Sequence, residues 1–410
     1  MLRPGDWLVM DYPSGSPSAD RARLVSRFAY EPPTLLMGAG ATEELGAELI
    51  ESGIDSVLVV CNRSIGELDP VIDPVCAGLG ERCAGVFSEV TGDKRLTTAW
   101  AAAQTADKLG AEGILGLGAG SALDVATVTA ALVDHDCSFE SVHETLLATG
   151  RVPFKRPPRP LVTIPTTLAG AELSQGAGIN AKRTEDSFFP GGISDPSLCP
   201  VITVYDAELV AHTPTQILRG STMNGFNKGI EALYSPSATP VTDATAMRGL
   251  SILMTWLPTL TKTEPSIAEL DAILEGNMLV QFGGSRPGTT SLSVIHAFGH
   301  GLRDNAGVQQ GIAHAIITPH VLRSLFEQAP CRRATIAKAL GVTEDSVVDA
   351  VKTLRDELGL PTRLRSIEGL EQHMLLDIAE DTLADGLMAN CPVGVDLELD
   401  DMLEILERAW

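Results

Sequence analysis

The chain has 410 residues and a formal net charge of −23, with a sequence pI near 4.7. That excess of carboxylates disfavours nucleic acid and anionic membrane as partners, because both require basic patches. The length, with a hydrophobic content of 44%, supports cores for two domains of ordinary size. The seven cysteines, at 61, 76, 83, 137, 199, 331 and 391, include no C-x-x-C pair, so they read as reduced thiols of a cytoplasmic protein. No apolar run reaches the ~18 residues of a membrane span, and Met1–Asp6 opens no signal-peptide core.

Residues 1–30 read as an irregular extension, with turn chemistry at Pro13-Ser14-Gly15-Ser16-Pro17. The extension is a surface segment or an arm exchanged between subunits. A β/α rhythm then begins. Apolar strands are expected at Leu35–Met37, Ser56–Cys61, Ala84–Phe87, Gly113–Leu117, Pro160–Pro165 and Val201–Asp206, with helices at 42–52, 97–109 and 122–132 between them. Short apolar runs alternating with helical patterns imply a parallel sheet covered on both faces. From Pro214 onward the periodicity is helical only, over 219–235, 243–260, 266–282, 291–302, 311–327, 332–340, 345–358, 371–380 and 398–409. The expected fold class is therefore α/β plus all-α: a Rossmann-like parallel-sheet domain over 31–211 and an all-helical domain over 212–410.

Gly118-Ala119-Gly120-Ser121-Ala122-Leu123-Asp124 follows a strand and opens a helix. Small residues there let backbone amides approach a pyrophosphate, whose charge the helix N-terminus favours. In Met223–Tyr234, Asn224 and Lys228 are four apart and share a helix face, and His296 and His300 repeat that spacing. Polar groups turned inward on apolar helices mark a site. Lys228 has no acidic partner at i±4, and Glu231, three residues on, lies about 300° round the helix. The alternative for Lys228 is an exposed helix face or a pair with Glu231.

These stretches, in this order, resemble the iron-containing (group III) alcohol dehydrogenases over about residues 28–410. The resemblance implies a nicotinamide cofactor held by Gly38 and Gly40, by Gly118, Gly120, Ser121 and Asp124, and by Thr166, Thr167 and Leu168 of Pro165-Thr166-Thr167-Leu168. Thr127 departs from the Lys usual at the end of the glycine motif. Asn62 stands where many members carry a ribose-binding Asp. It removes a charge that would repel a 2′-phosphate, and Arg63 can pair with one, which tilts the expected cofactor to NADP over NAD. The family holds a divalent metal on an Asp-x-x-x-His helix and two later His. Here Asn224 stands for the Asp, Lys228 for the first His and Gln310 for the last, while His296 keeps its place. An ammonium has no lone pair to donate, so no metal is expected.

Asn224 and the Leu233–Val241 stretch look most like the maleylacetate reductase branch. The implied function is a metal-independent NAD(P)H-dependent reductase of a small carbonyl or enone, such as a maleylacetate-like oxoacid or an aldehyde. Lys228 then stands in for the metal, by stabilising a developing oxyanion, by donating a proton or by anchoring a carboxylate. His296 and His300 are the further catalytic candidates, the latter at a position linked to proton relay. Asn224, Gln310 and Arg303, with Arg286, are candidates to bind substrate. Two alternatives remain, a cofactor-binding pseudoenzyme and a non-reductive enzyme on the same scaffold. A homodimer is the expected assembly.

Overall fold

The computed structural model describes residues 28–184 and 187–410, so most of the extension expected over 1–30 lies outside the described residues. The strands of the first half are β1 (Thr34–Met37), β2 (Val57–Asn62), β3 (Cys83–Val90), β4 (Gly113–Gly118), β5 (Leu161–Pro165), β6 (Gly176–Lys182), β7 (Phe188–Ser194) and β8 (Ile202–Tyr205). Six of them form one sheet in the order β1-β8-β5-β4-β2-β3, every pair parallel. Its helices are α1 (Leu45–Glu51), α2 (Arg63–Gly66), α3 (Asp69–Leu79), α4 (Leu96–Leu109), α5 (Gly120–Leu132), α6 (Phe139–Thr149) and α7 (Ala207–Val210).

Strand β2 shows how the sequence builds two layers. Val57, Val59 and Cys61 pack on one face with Leu45, Leu49 and Val75, whereas Leu58 and Val60 pack on the other with Ala99, Ala102 and Val125. Successive side chains of a strand point to opposite faces, so a run apolar at every position is the signature of a doubly covered parallel strand.

The antiparallel hairpin β6–β7 and helix α6 were not among the expected elements. Gly-Ala-Gly-Ile-Asn-Ala-Lys and Phe-Phe-Pro-Gly-Gly-Ile-Ser carry too many glycines, and a proline, to read as strands. The pairing holds because Ala177, Ile179 and Ala181, at every second position, enter the core beside the sheet. Helix α6 has its own local signals, a Ser138 cap accepting from Ser141 N at 3.3 Å and a left-handed Gly150 at its end.

Nine helices of the described second half follow: α8 (Thr215–Tyr234), α9 (Pro240–Trp256), α10 (Ile267–Gln281), α11 (Val294–Ala306), α12 (Gln310–Gln328), α13 (Arg333–Leu340), α14 (Val347–Glu357), α15 (Leu375–Ala384) and α16 (Leu399–Ala409). A small ribbon, β9 (Ser285–Arg286) with β10 (Thr289–Thr290), joins α10 to α11. The fold is α/β plus all-α, as expected. The core of the helical half does not stop at the boundary, because Leu168, Leu173, Tyr205 and Ala207 belong to it. Among the described residues no helix is long and apolar enough to cross a membrane.

Candidate active site

Helix α8 organises the site and touches both halves. Its interior glycines, Gly220, Gly225 and Gly229, each cost about 1 kcal/mol of helix propensity relative to alanine. What they permit is close approach. A Cβ on Gly225 would stand 2.0 Å from Asn277 Oδ1 and 2.6 Å from the Leu168 carbonyl oxygen. The helix therefore lies directly on the Thr166–Ala171 loop, which Leu168 N also ties down by donating to Ser221 Oγ at 3.1 Å.

Lys228 Nζ donates to the Gly170 carbonyl of that loop and lies on the wall of a cavity of about 550 Å3. An ammonium carries three donors, so this bond leaves two for a ligand. Burial holds the Lys228 pKa below the ordinary lysine value, against the opposing charges of Glu172, Asp124 and Glu231. The cavity lies where Leu173–Gly176 and Ser194–Pro196 of the first half face Gln281 and the Gly284–Leu292 segment of the second. His296 and His300 are not among its lining residues.

Glu231 was passed over in the sequence as a partner only for Lys228. It lies seven residues after Asn224, hence almost directly above it on the same face of α8. It is fully buried and faces α11. Its Oε2 is 2.5 Å from His296 Nδ1, and its Oε1 accepts from the amides of Ile295 at 2.8 Å and His296 at 3.1 Å and from Tyr234 Oη at 3.2 Å. Ser293, the N-cap of α11, makes no side-chain cap, so the Glu231 carboxyl caps that helix from α8. Burial raises its pKa to about 7, while the nearby histidine and the amides act in the opposite sense. His296, also buried, is pushed well below the usual histidine value by burial and by the Lys228 charge. Its Nε2 is 3.1 Å from Asn224 Oδ1. A protonated Glu231 donating to Nδ1, with Nε2–H donating to Asn224 Oδ1, satisfies both ring nitrogens of His296.

His314 packs edge-on against His296, with ring centroids 4.5 Å apart, and no side chain among the described residues bonds to its ring nitrogens. Burial pushes its pKa well down, so it sits as a neutral ring. Gln310 opens α12, with its Cγ 3.0 Å from where a Gly299 Cβ would stand. His300 Nδ1 is 2.7 Å from Asp385 Oδ2. Burial alone would raise the Asp385 carboxyl, but the bond and charge of His300 hold it below its ordinary value. Nothing local in the sequence links the two, which are 85 residues apart.

Two candidates for substrate contact are engaged elsewhere. Arg303 does not present its guanidinium to the cavity; Nε and Nη2 donate to the adjacent Asp304 at 2.7 and 3.1 Å on the rim of α11. Arg286 points away too, with Nη2 donating to the Ser237 carbonyl at 2.9 Å and the guanidinium over the Phe28 ring.

Around α5 the groove suits a nucleotide phosphate. Gly118 sits at φ +134°, a conformation that side chains resist, and its carbonyl accepts from Thr166 N at 3.0 Å. No side chain caps the N-terminus of α5, which leaves its first amides for an anion. Gly120 faces Ala169 and Ala171 across the groove, and Asn62 Oδ1, buried and without a partner, lies beside Gly118. Arg63 is exposed, and Thr166 and Thr167 are buried at the strand end. Leu168 is a further correction: it is 2% exposed within the helical core, so it offers no ring contact to a cofactor. Gly40 N donates to Asp206 Oδ1 at 3.0 Å, which fixes the Gly38–Gly40 turn. Asp124, beside Ser121, pairs with Lys94 at 2.9 Å. That cation comes from another loop, where Lys94 holds a left-handed φ of +47°, while Thr127 merely bonds back to the Leu123 carbonyl.

The donors at Asn224, Lys228, His296 and Gln310 do not fit a divalent cation. Lys228 brings a positive charge and no lone pair, Asn224 and Gln310 offer only neutral amides, and among the described residues no cluster of three His, Cys, Asp or Glu is placed to hold an ion.

Comparison with known proteins matches residues 32–207 to the iron-containing alcohol dehydrogenase domain and residues 220–410 to the C-terminal domain of the same family. A maleylacetate reductase of Pseudomonas sp. (strain P51) is 28% identical over 389 residues, 93% of this chain and 97% of the relative. Lactaldehyde reductase of Escherichia coli (strain K12) is 24% identical over 391 residues, 92% and 98% of the two chains. The crystal structure of sulfoacetaldehyde reductase from Bifidobacterium kashiwanohense, in complex with NAD+, superposes with a TM-score of 0.83 at 19% identity, over 94% of this chain and 99% of that one. The chain belongs to the iron-containing alcohol dehydrogenase superfamily, a family of oxidoreductases, and within it resembles the maleylacetate reductase branch.

Proposed function

We propose that the chain is a nicotinamide-dependent reductase of a small carbonyl or enone, in which the Lys228 ammonium takes the place of the family's divalent cation. The observation that carries this reading is Lys228 itself, on the cavity wall and at the groove of a nucleotide-binding scaffold. The Gly118–Ser121 turn, the α5 N-terminus and the Thr166–Thr167 strand end would hold the pyrophosphate and ribose. Asn62 and the exposed Arg63 favour NADP over NAD. When bound, the reduced nicotinamide supplies a hydride.

The chain's own residues do the rest. Lys228 stabilises the negative charge that develops on the substrate oxygen and supplies the proton that quenches it. Asn224 and Glu231 hold His296, and Asp385 holds His300, where that imidazole can relay a proton. Purified chain assayed with NADPH and NADH against maleylacetate and small aldehydes, with and without chelator, tests the proposal. Turnover indifferent to chelator supports it; turnover abolished by chelator and restored by metal refutes the metal-free part.

A second reading rests on the bond from Lys228 to the Gly170 carbonyl, which makes the lysine a staple for the loop in a cofactor-binding protein without turnover. Dinucleotide binding with no turnover of any carbonyl would favour it.

A further inference from the structure

Gln281, the last residue of α10, has an amide whose orientation its neighbours determine. Nε2 donates to the Asn277 carbonyl at 2.8 Å and to Glu172 Oε1 at 2.8 Å. A backbone carbonyl only accepts, so the amino end of the amide must be there and cannot be exchanged with the oxygen. Oε1 is therefore a committed acceptor. It is buried, no group among the described residues donates to it, and its residue lines the cavity while being 6% exposed. A buried acceptor left unmatched costs stability, so a site that keeps one is shaped for a donor that arrives with the ligand.

The surroundings say what kind of ligand. Gln281 Oε1 would be 3.1 Å from a Cβ on Gly170, and the carbonyl of that same Gly170 accepts from Lys228 Nζ. An acceptor and an ammonium thus flank one residue. A carbonyl oxygen answers the ammonium, and a hydroxyl on a neighbouring carbon answers the acceptor. Ser174, Ser285 and Thr290 add hydroxyls to the wall, and no arginine is among its described lining residues.

We infer that Gln281 is a specificity-determining residue, that its Oε1 accepts a hydrogen bond from a substrate hydroxyl, and that the ligand class is a small hydroxycarbonyl, and in the reduced state the matching diol. Lys228, the one cation among the described lining residues, suits a neutral or singly charged ligand better than a dicarboxylate. The inference deepens the reductase reading, and its turnover arm rests on it.

The test has a binding arm and a turnover arm. In calorimetric titration of the intact chain, 1,2-propanediol should bind about 10- to 100-fold more tightly than 2-propanol, the cost of one unanswered buried acceptor. Gln281→Met should reduce the two to equality, with the thermal transition checked to show the variant folded. In turnover, hydroxyacetone should exceed acetone in kcat/KM by a similar factor, lost in the same variant. Equal binding of the two alcohols by the unmodified chain overturns the inference whether or not the variant folds, and so does a preference that survives Gln281→Met. Preference for the diol with no reduction of either ketone sinks the reductase reading and leaves the assignment of Gln281 standing.

Discussion

Lys228 and Glu231 stand one turn apart on α8 and divide two tasks. Lys228 faces the cavity with a charge that burial disfavours. Replacing it with methionine keeps the length of the side chain and removes the charge. The expected result is a loss of kcat of about 100- to 1,000-fold, the scale for one oxyanion donor, with the Kd for NADPH unchanged by fluorescence titration. Because its pKa lies below the ordinary lysine value, activity that depends on the ammonium should decline as pH rises, and before that ordinary value is reached. Glu231 titrates the other way. Its folded pKa, about 7, is above the unfolded one, so its contribution to stability is complete below the unfolded value and lost as pH climbs through 7. Melting temperatures from pH 4.5 to 8 should fall across that window in the parent chain, and the slope should flatten in Glu231→Gln. An unchanged slope would assign the pH dependence elsewhere.

At the scale of elements, α8 lies close on both α10 and the Thr166–Ala171 loop at Gly225. Gly225→Ala should destabilise by about 1–3 kcal/mol, as for overpacked cores, and weaken NADPH binding, because the Leu168 carbonyl must retreat and carry the loop with it. Thermal melts and cofactor titration of that variant check both effects. The long periodic helices were legible in the sequence because amphipathic spacing over three or more turns has few competing explanations. The hairpin β6–β7 was not, since glycine hides the alternation that Ala177, Ile179 and Ala181 complete only in three dimensions. The candidate site divides in the same way. Asn224, Lys228, His296 and His300 were visible through i, i+4 spacing. Glu231 could have been found by extending that count to i+7. Gln281, Asp385 and Lys94 come from distant elements and leave no local pattern, and Leu168 and Arg303 were misread because a motif position says nothing about packing or a neighbouring Asp.

For the whole molecule, the proposed replacement of the cation by Lys228 has a measurable consequence. A cation that binds the folded chain alone raises its melting temperature in proportion to occupancy. Zinc or iron(II) added to the purified chain should therefore leave the melting temperature unchanged, and chelator should not lower it. A shift of several degrees with either would show that the folded chain binds a metal and would overturn the metal-free reading.

The core of the helical half takes in Leu168, Leu173, Tyr205 and Ala207 from the sheet half. A hinge between the halves would have to shear that apolar packing at each opening. None of the nine residues of the Gly284–Leu292 segment, several of which line the cavity, belongs to that shared core, so a displacement of this segment would open the cavity and leave the packing between the halves intact.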